Sequence, residues 1–265
     1  MGSMVDFGLF REANHMLLVL QHSDSSTIGT LGPALVDHAH ALRTIRLHRG
    51  EALPADLDDI DGIIALGGPQ SANDESPVLR REMDLMRTAH AMGLPLFGIC
   101  LGCQLLAKAL GGEVAKMAVG PQAGPEIGWC DVKLSAVGRE DPLFTGIGWT
   151  TSQFQWHHDE VVKLPPAARL LASSARCKVQ AWGLGLRTYA VQFHPELDEA
   201  AIQRFVREGA NELAAAGISA NSIIEGNRAH LAEMRRSAER LFESWCLFVA
   251  PVERRYRGVA KDLLH

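Results

Sequence analysis

A chain of 265 residues that is 47% apolar and 22% charged can bury a full core, as one domain or one with a modest appendage. Its net charge of −5, with basic residues scattered along the sequence, supplies neither the stripe a nucleic acid needs nor a polybasic patch for an anionic membrane, and no run nears the roughly 20 apolar residues of a membrane helix. Five cysteines, an odd number, do not form a disulfide framework, so a reducing, cytoplasmic setting is expected.

Met1 to Ser3 precede a second start residue, Met4, and read as a leftover of cloning; residues 1–13 are expected to be a tail. The apolar run Met16 to Leu20 is too short for a secretory signal and follows acidic Asp6 and Glu12. His15 to Gln21 instead reads as a buried strand, followed by a polar loop, His22 to Thr30, and a helix over Leu31 to Ala41. Arg43 to Leu47 and Ile60 to Leu66 are predicted strands, the second ending in Gly67-Gly68-Pro69, and Pro77 to Met92 is a predicted helix. Short apolar strands alternating with helices imply a parallel sheet covered on both faces, with function gathered at the carboxyl ends of the strands.

The next strand carries the strongest signal. Leu94 to Ile99 is apolar, ends in Gly98-Ile99-Cys100-Leu101-Gly102, and passes without a loop into a helical pattern, Gln104 to Leu110, stopped by Gly111-Gly112. A strand, a tight turn and a helix with glycines around one residue make up a nucleophile elbow, here with Cys100 in the nucleophile's place. A helix N-terminus favours the attacking thiolate over the thiol. Two other readings compete: a lone cysteine is commonly a small buried hydrophobe, and Cys100 with Cys103 also spells C-x-x-C, a redox pattern. An acyl-transfer site needs two N–H donors for its oxyanion, and the elbow analogy offers Leu101, next after the nucleophile, and a residue of an earlier strand-end loop, for which Gly68 is the candidate.

Beyond Gly112 the pattern changes. Ile127 to Leu134 alternates in β fashion, and turns at Pro121, Gly124-Pro125 and Gly138 suggest antiparallel strands added to the sheet edge. Gln153 to Glu160 is one further run. Its His157-His158 pair does not read as a metal site, because neighbours on a strand point opposite ways and no second ligand pair lies at helical spacing. Lys178 to Trp182 and Arg187 to Phe193 form a predicted hairpin ending in His194-Pro195-Glu196. On extended backbone, residues two apart share a face, so His194 and Glu196 can meet, and a histidine oriented by a carboxylate is the base a cysteine nucleophile needs.

Gly67-Gly68-Pro69, Gly98 to Gln104 and His194-Pro195-Glu196 together resemble the class I (triad) glutamine amidotransferases, in the family's order, from about His15 to Glu196. The resemblance implies a flavodoxin-like three-layer α/β/α fold over residues 14–198, with a central mostly parallel sheet, added antiparallel edge strands and C-terminal helices. It also implies a triad that hydrolyses the glutamine side-chain amide without cofactor or metal: Cys100 as nucleophile, His194 as base and acid, Glu196 as the orienting carboxylate. Gly68 and Leu101 look like its oxyanion donors and Gln104 like a contact to bound glutamine. Trp156-His157-His158-Asp159 resembles the family's substrate-side segment, often His-Gly-Asp, which makes Trp156 and His157 substrate-side candidates and puts His158 where glycine is usual. The overall style is similar to stand-alone bacterial glutamine amidotransferase-like proteins, some related to the guanylate-synthase type.

The chain has no room for a synthetase domain and no Gly-rich nucleotide loop before a helix, so ammonia would go to a separate synthase subunit. The small-molecule substrate would be L-glutamine or, with the same triad, a γ-glutamyl amine or peptide; a non-catalytic binding module is the third reading, and a homo-oligomer stays open. Residues 199–265 hold two amphipathic patterns, Ala200 to Ala215 and Ser222 to Val249, expected to be helices packed on the same core.

Overall fold

The computed structural model describes residues 16–118 and 124–252. The tail at 1–13, the chain end beyond 252 and the turn expected at Pro121 lie outside them. The first half of the chain runs β1 (Met16–Gln21), α1 (Leu31–Asp37), β2 (Leu42–Arg46), β3 (Ile60–Ala65), α2 (Pro77–Ala91), β4 (Leu96–Ile99) and α3 (Leu101–Ala109). After it come β5 (Glu113–Lys116), β6 (Glu126–Leu134), α4 (Ala136–Glu140), β7 (Thr150–His157), β8 (Asp159–Lys163), β9 (Arg169–Ser173), β10 (Ala181–Leu184) and β11 (Thr188–Val191). The described chain closes with α5 (Glu199–Glu208), α6 (Ala210–Ala216) and α7 (Ala220–Ser244), which runs into a π-helical turn, Trp245–Val249.

Nine strands form one sheet in the order β2-β1-β3-β4-β11-β10-β9-β6-β7. From β2 to β11 all neighbours are parallel; from β11 to β7 all are antiparallel. The parallel half has short strands buried on both faces, and the period of two sorts their side chains between them. Leu17 and Val19 of β1 join Phe97, Val191, the α7 residues Leu241 and Phe242, and Trp245 of the π-helical turn on one face. Leu18 and Leu20 join Met86 of α2 and Leu105 of α3 on the other. A third, smaller cluster packs Phe154 of β7 against Ile202 and Val206 of α5, Leu213 of α6 and Met234 of α7. The result is the three-layer, flavodoxin-like α/β/α arrangement, with the residues beyond Glu196 supplying part of one helical layer. No described helix is long and apolar enough to cross a membrane.

Several elements depart from the sequence expectation. The run Gln153 to Glu160 is two strands: it breaks at His158, so β7 closes the large sheet while β8 pairs with β5 in a separate ribbon. The first helix stops at Asp37, and Ala39 takes a left-handed φ of 65° before β2. The helix expected over Ala200 to Ala215 divides at Gly209. Trp156 lies against that break, where a Cβ on Gly209 would come within 2.2 Å of its ring.

Candidate active site

β4 ends inside the core and α3 begins one residue later, so Cys100 alone makes the turn. It does so at φ 53°, ψ −107°, in left-handed space that a side chain occupies at a cost of about 1–3 kcal/mol. Two hydrogen bonds to neighbouring strands hold the strained turn: the Cys100 N–H donates to the Val191 carbonyl at 2.9 Å and the Gly102 N–H to that of Leu66 at 3.2 Å. The flanking glycines are needed for space, since a Cβ on Gly98 would lie 2.7 Å from the Gly102 carbonyl oxygen, and one on Gly102 only 2.1 Å from that of Ala65. Leu101 is the first residue of α3, and its N–H is one of the four that a helix leaves without an intrahelical acceptor.

His194 and Glu196 come together as expected, by a different local route. β11 stops at Val191 and the two residues sit on a buried turn beyond it, with His194 Nδ1 2.8 Å from Glu196 Oε1. The turn is tied down on both sides, by the His194 N–H to the Phe154 carbonyl and by the Thr30 N–H to the Glu196 carbonyl, each 2.9 Å. Gly67 marks how close the catalytic candidates lie, for a Cβ there would stand 2.9 Å from His194 Cε1 and 3.5 Å from Cys100 Cβ. Burial by itself would lower the pKa of His194, but the Glu196 carboxylate and the Cys100 sulfur outweigh it and raise it to about 10. Apart from the Cys100 sulfur the buried His194 Nε2 meets no partner, and the buried Glu196 Oε2 takes no hydrogen bond.

A cavity of about 440 Å³ opens over Cys100 and His194, and Gly68, Leu101, Gln104, Trp156 and His157 all line it. The amide nitrogen of Gln104 is spent internally, donating to the Asp159 carbonyl at 2.8 Å and to Gln192 Oε1 at 3.0 Å, which leaves its oxygen for a ligand. The Trp156 carbonyl lies 3.8 Å from Cys100 Sγ, and its ring packs edge-on to Phe205. Neither ring nitrogen of His157 is free for a ligand: Nδ1 meets the Asp159 carbonyl at 2.9 Å and Nε2 meets Glu126 Oε2 at 3.2 Å. His158 has no left-handed φ, so the backbone there makes no demand for glycine, and its side chain crosses to pair with Glu212 of α6.

The wall formed by Phe205, Glu208, Gly209 and Glu212 escaped sequence reasoning. The only signal was the amphipathic period of that stretch, which gives a helix but not what the helix covers. Ser25 of the loop after β1 ties into the same wall, donating to Glu208 Oε2 at 2.5 Å.

Two other cysteines are accounted for by packing. Cys103 is fully buried, receives the Trp182 indole N–H at 3.3 Å, and has its thiol pushed up to about 12 by burial. Cys177 stands with Glu126 and His157 in a group whose ligand atoms lie within 4.8 Å of one another. Hydrogen bonds already serve that group: Glu126 accepts from Ser174 and Gln180 at 2.6 Å each as well as meeting His157, and the Cys177 thiol donates to the Val179 carbonyl. Burial would raise the Glu126 pKa, yet His157 and Ser174, with the Arg176 charge, hold it below its ordinary value, while burial pushes the Cys177 thiol far up. A metal would have to displace this set.

Comparison with known proteins points the same way. A family model described as Glutamine amidotransferase class-I matches residues 34–207. The glutamine amidotransferase-like protein YfeJ of Salmonella typhimurium is 32% identical over 183 residues, which is 67% of this chain and 74% of that protein. A glutamine-hydrolyzing GMP synthase subunit from Archaeoglobus fulgidus is 37% identical over 143 residues, 53% of this chain and 69% of its own length. A crystal structure of a glutamine amidotransferase from Methylobacillus flagellatus superposes with a TM-score of 0.81 at 28% identity, across 92% of this chain and 98% of that one.

Proposed function

This chain belongs to the class-I glutamine amidotransferase family, and we propose that it hydrolyses the side-chain amide of glutamine through Cys100, His194 and Glu196. One observation carries the reading: a strained elbow holds Cys100 in a cavity beside a buried histidine that is oriented by a carboxylate and keeps Nε2 for the sulfur. Such an arrangement matches a nucleophile, a base and an orienting group.

The raised pKa of His194 makes the imidazolium the resting form beside the Cys100 sulfur. The thiolate adds to the γ-carbonyl carbon, and the resulting oxyanion takes hydrogen bonds from the Gly68 and Leu101 N–H groups. His194 Nε2 passes its proton to the amide nitrogen, the C–N bond breaks and ammonia leaves, giving a γ-glutamyl thioester. Water then gives a proton to His194 Nε2 and attacks the thioester; the C–S bond breaks, glutamate departs and the thiolate is restored. The free oxygen of Gln104 suits the substrate's α-ammonium, while Trp156 and His157 shape the wall it lies against.

We place the reaction in the cytoplasm, with the ammonia passing to a separate synthase, a division of labour suggested by the relatives named as GMP synthase subunits. A second reading, a hydrolase of larger γ-glutamyl amides, is favoured by one feature. The cavity runs past His194, the proposed proton donor to the leaving nitrogen, to Phe205, whose ring centroid is 5.6 Å from the imidazole, and on to Glu208 and Glu212. Glutamate release from L-glutamine and from a panel of γ-glutamyl amides, with Cys100→Ala as the blank, tests both. Glutamine should be turned over by the wild type alone, and the blank should lose at least about 10⁴-fold in kcat. Retained activity in Cys100→Ala would sink the assignment.

A further inference from the structure

The inward face of α2 buries Leu79, Met86 and Ala89, and among them a carboxylate, Glu82, that has no exposed surface. Its partner is His22, at the end of β1 and equally buried, whose Nε2 lies 2.9 and 3.0 Å from the two Glu82 oxygens. Burying both charges is costly, and a pair of well-packed apolar side chains would serve stability as well or better. The location of the pair suggests another use. His22 grips the loop that follows β3 at several points. Its carbonyl accepts from Gln70 Nε2 at 3.1 Å, and its Cβ stands where a side chain on Gly68 would collide, at 2.5 Å. Burial would lower the His22 pKa, and the Glu82 carboxylate, helped by the Gly67 and Leu66 carbonyls, raises it instead, while the buried Nδ1 takes no hydrogen bond.

The Gly67–Gly68 peptide is wedged between that pair and the catalytic candidates: a Cβ on Gly68 would meet His22, a Cβ on Gly67 would meet His194 Cε1 and Cys100 Cβ, and Gly68 lines the cavity beside Cys100. We infer that His22 and Glu82 form a positioning pair that fixes the Gly67–Gly68 peptide with its N–H presented to the oxyanion. This rests on the proposed reaction, and it makes the pair act through Gly68 and not on the substrate.

The test uses the full chain and three variants: Glu82→Gln, Glu82→Leu and the double variant His22→Leu/Glu82→Leu. An oxyanion contact is made in the transition state and not in the ground state. Glu82→Leu should therefore lower kcat for glutamate release by about 10²–10³-fold, as loss of one oxyanion donor does, with KM nearly unchanged. Glu82→Gln, which keeps an acceptor for His22, should lose about ten-fold. The double variant leaves no unpaired buried charge, so its Tm should recover toward wild type while kcat stays low. Recovery of kcat together with Tm would reduce the pair to packing and overturn the inference, as would a change in KM alone. A crystal structure of the double variant gives a readout that needs no activity: the Gly67–Gly68 peptide should be rotated or displaced, and a peptide left in place would overturn the inference. If the wild type releases no glutamate from any γ-glutamyl donor, the proposed reaction fails, and the peptide's orientation still decides the positioning.

Discussion

Two buried histidine–carboxylate pairs flank the cavity, built from the same groups and left in opposite states. His157 and Glu126 are hydrogen-bonded throughout: both ring nitrogens are engaged, and Ser174 and Gln180 complete the carboxylate. His194 and Glu196 share one bond; Glu196 Oε2 takes no other, and His194 Nε2 has only the Cys100 sulfur. Buried polar atoms almost always find partners, so an incomplete pair facing a cavity marks a place kept for a ligand. The complete pair anchors the segment from Trp156 to Asp159, which forms the facing wall. A buried histidine beside an acid is thus no sign of chemistry by itself; a ring nitrogen left facing a cysteine in a cavity is.

The contrast can be broken most forcefully at Glu196. Glu196→Gln keeps the shape but loses the charge and the tautomer control, and kcat should fall by about 10²–10⁴-fold. The same change should alter the pH dependence of stability. His194 has a folded pKa raised from 6.5 to about 10, so its pairing stabilises the protein fully below pH 6.5 and loses that effect as pH rises through about 10. The gap in urea midpoint between wild type and Glu196→Gln should accordingly be widest on the acid side and close above about pH 10; a gap that widens with pH would mean that the histidine is held neutral.

Glu126 should behave in the reverse sense. Glu126→Ala strands the buried His157 and Gln180 and the partly buried Ser174 and should cost about 3–5 kcal/mol in urea unfolding, while turnover per folded molecule falls by less than about ten-fold. A stable but inactive Glu126→Ala would erase the distinction between the pairs. The smallest effect is expected at Cys103, which lies on α3 three residues after the proposed nucleophile. Cys103→Ser should keep kcat within about two-fold and lose about 1–2 kcal/mol of stability. Complete loss of activity there would revive a redox role for the C-x-x-C pattern.

What could be read from the sequence was what is local. The elbow occupies five consecutive residues, and its glycines report a steric need that Gly98 and Gly102 display in the fold. His194 and Glu196 are two residues apart, so they meet in a turn as readily as on a strand. Alternating strands and helices gave the parallel half of the sheet, because each strand carries its own apolar run. Features that depend on distant partners were not legible. Glu82 looks like one more charge on a surface helix until His22, 60 residues earlier, is seen beneath it. Phe205 and Glu212 line the cavity from either side of the break at Gly209, which lies against the Trp156 ring. The break at His158 was hidden for a related reason: β residues continue through it, and only the pairing partner changes, from β6 to β5.

The left-handed backbone at Cys100 sets the position against itself. Alanine there removes the sulfur but keeps the strain, whereas glycine relieves it, so Cys100→Gly should be the more stable of the two inactive proteins by about 1 kcal/mol. A population screened for heat resistance alone would therefore gain from discarding the thiol. Only a screen that also demands turnover would keep cysteine at a site where the chain itself favours a residue with no side chain.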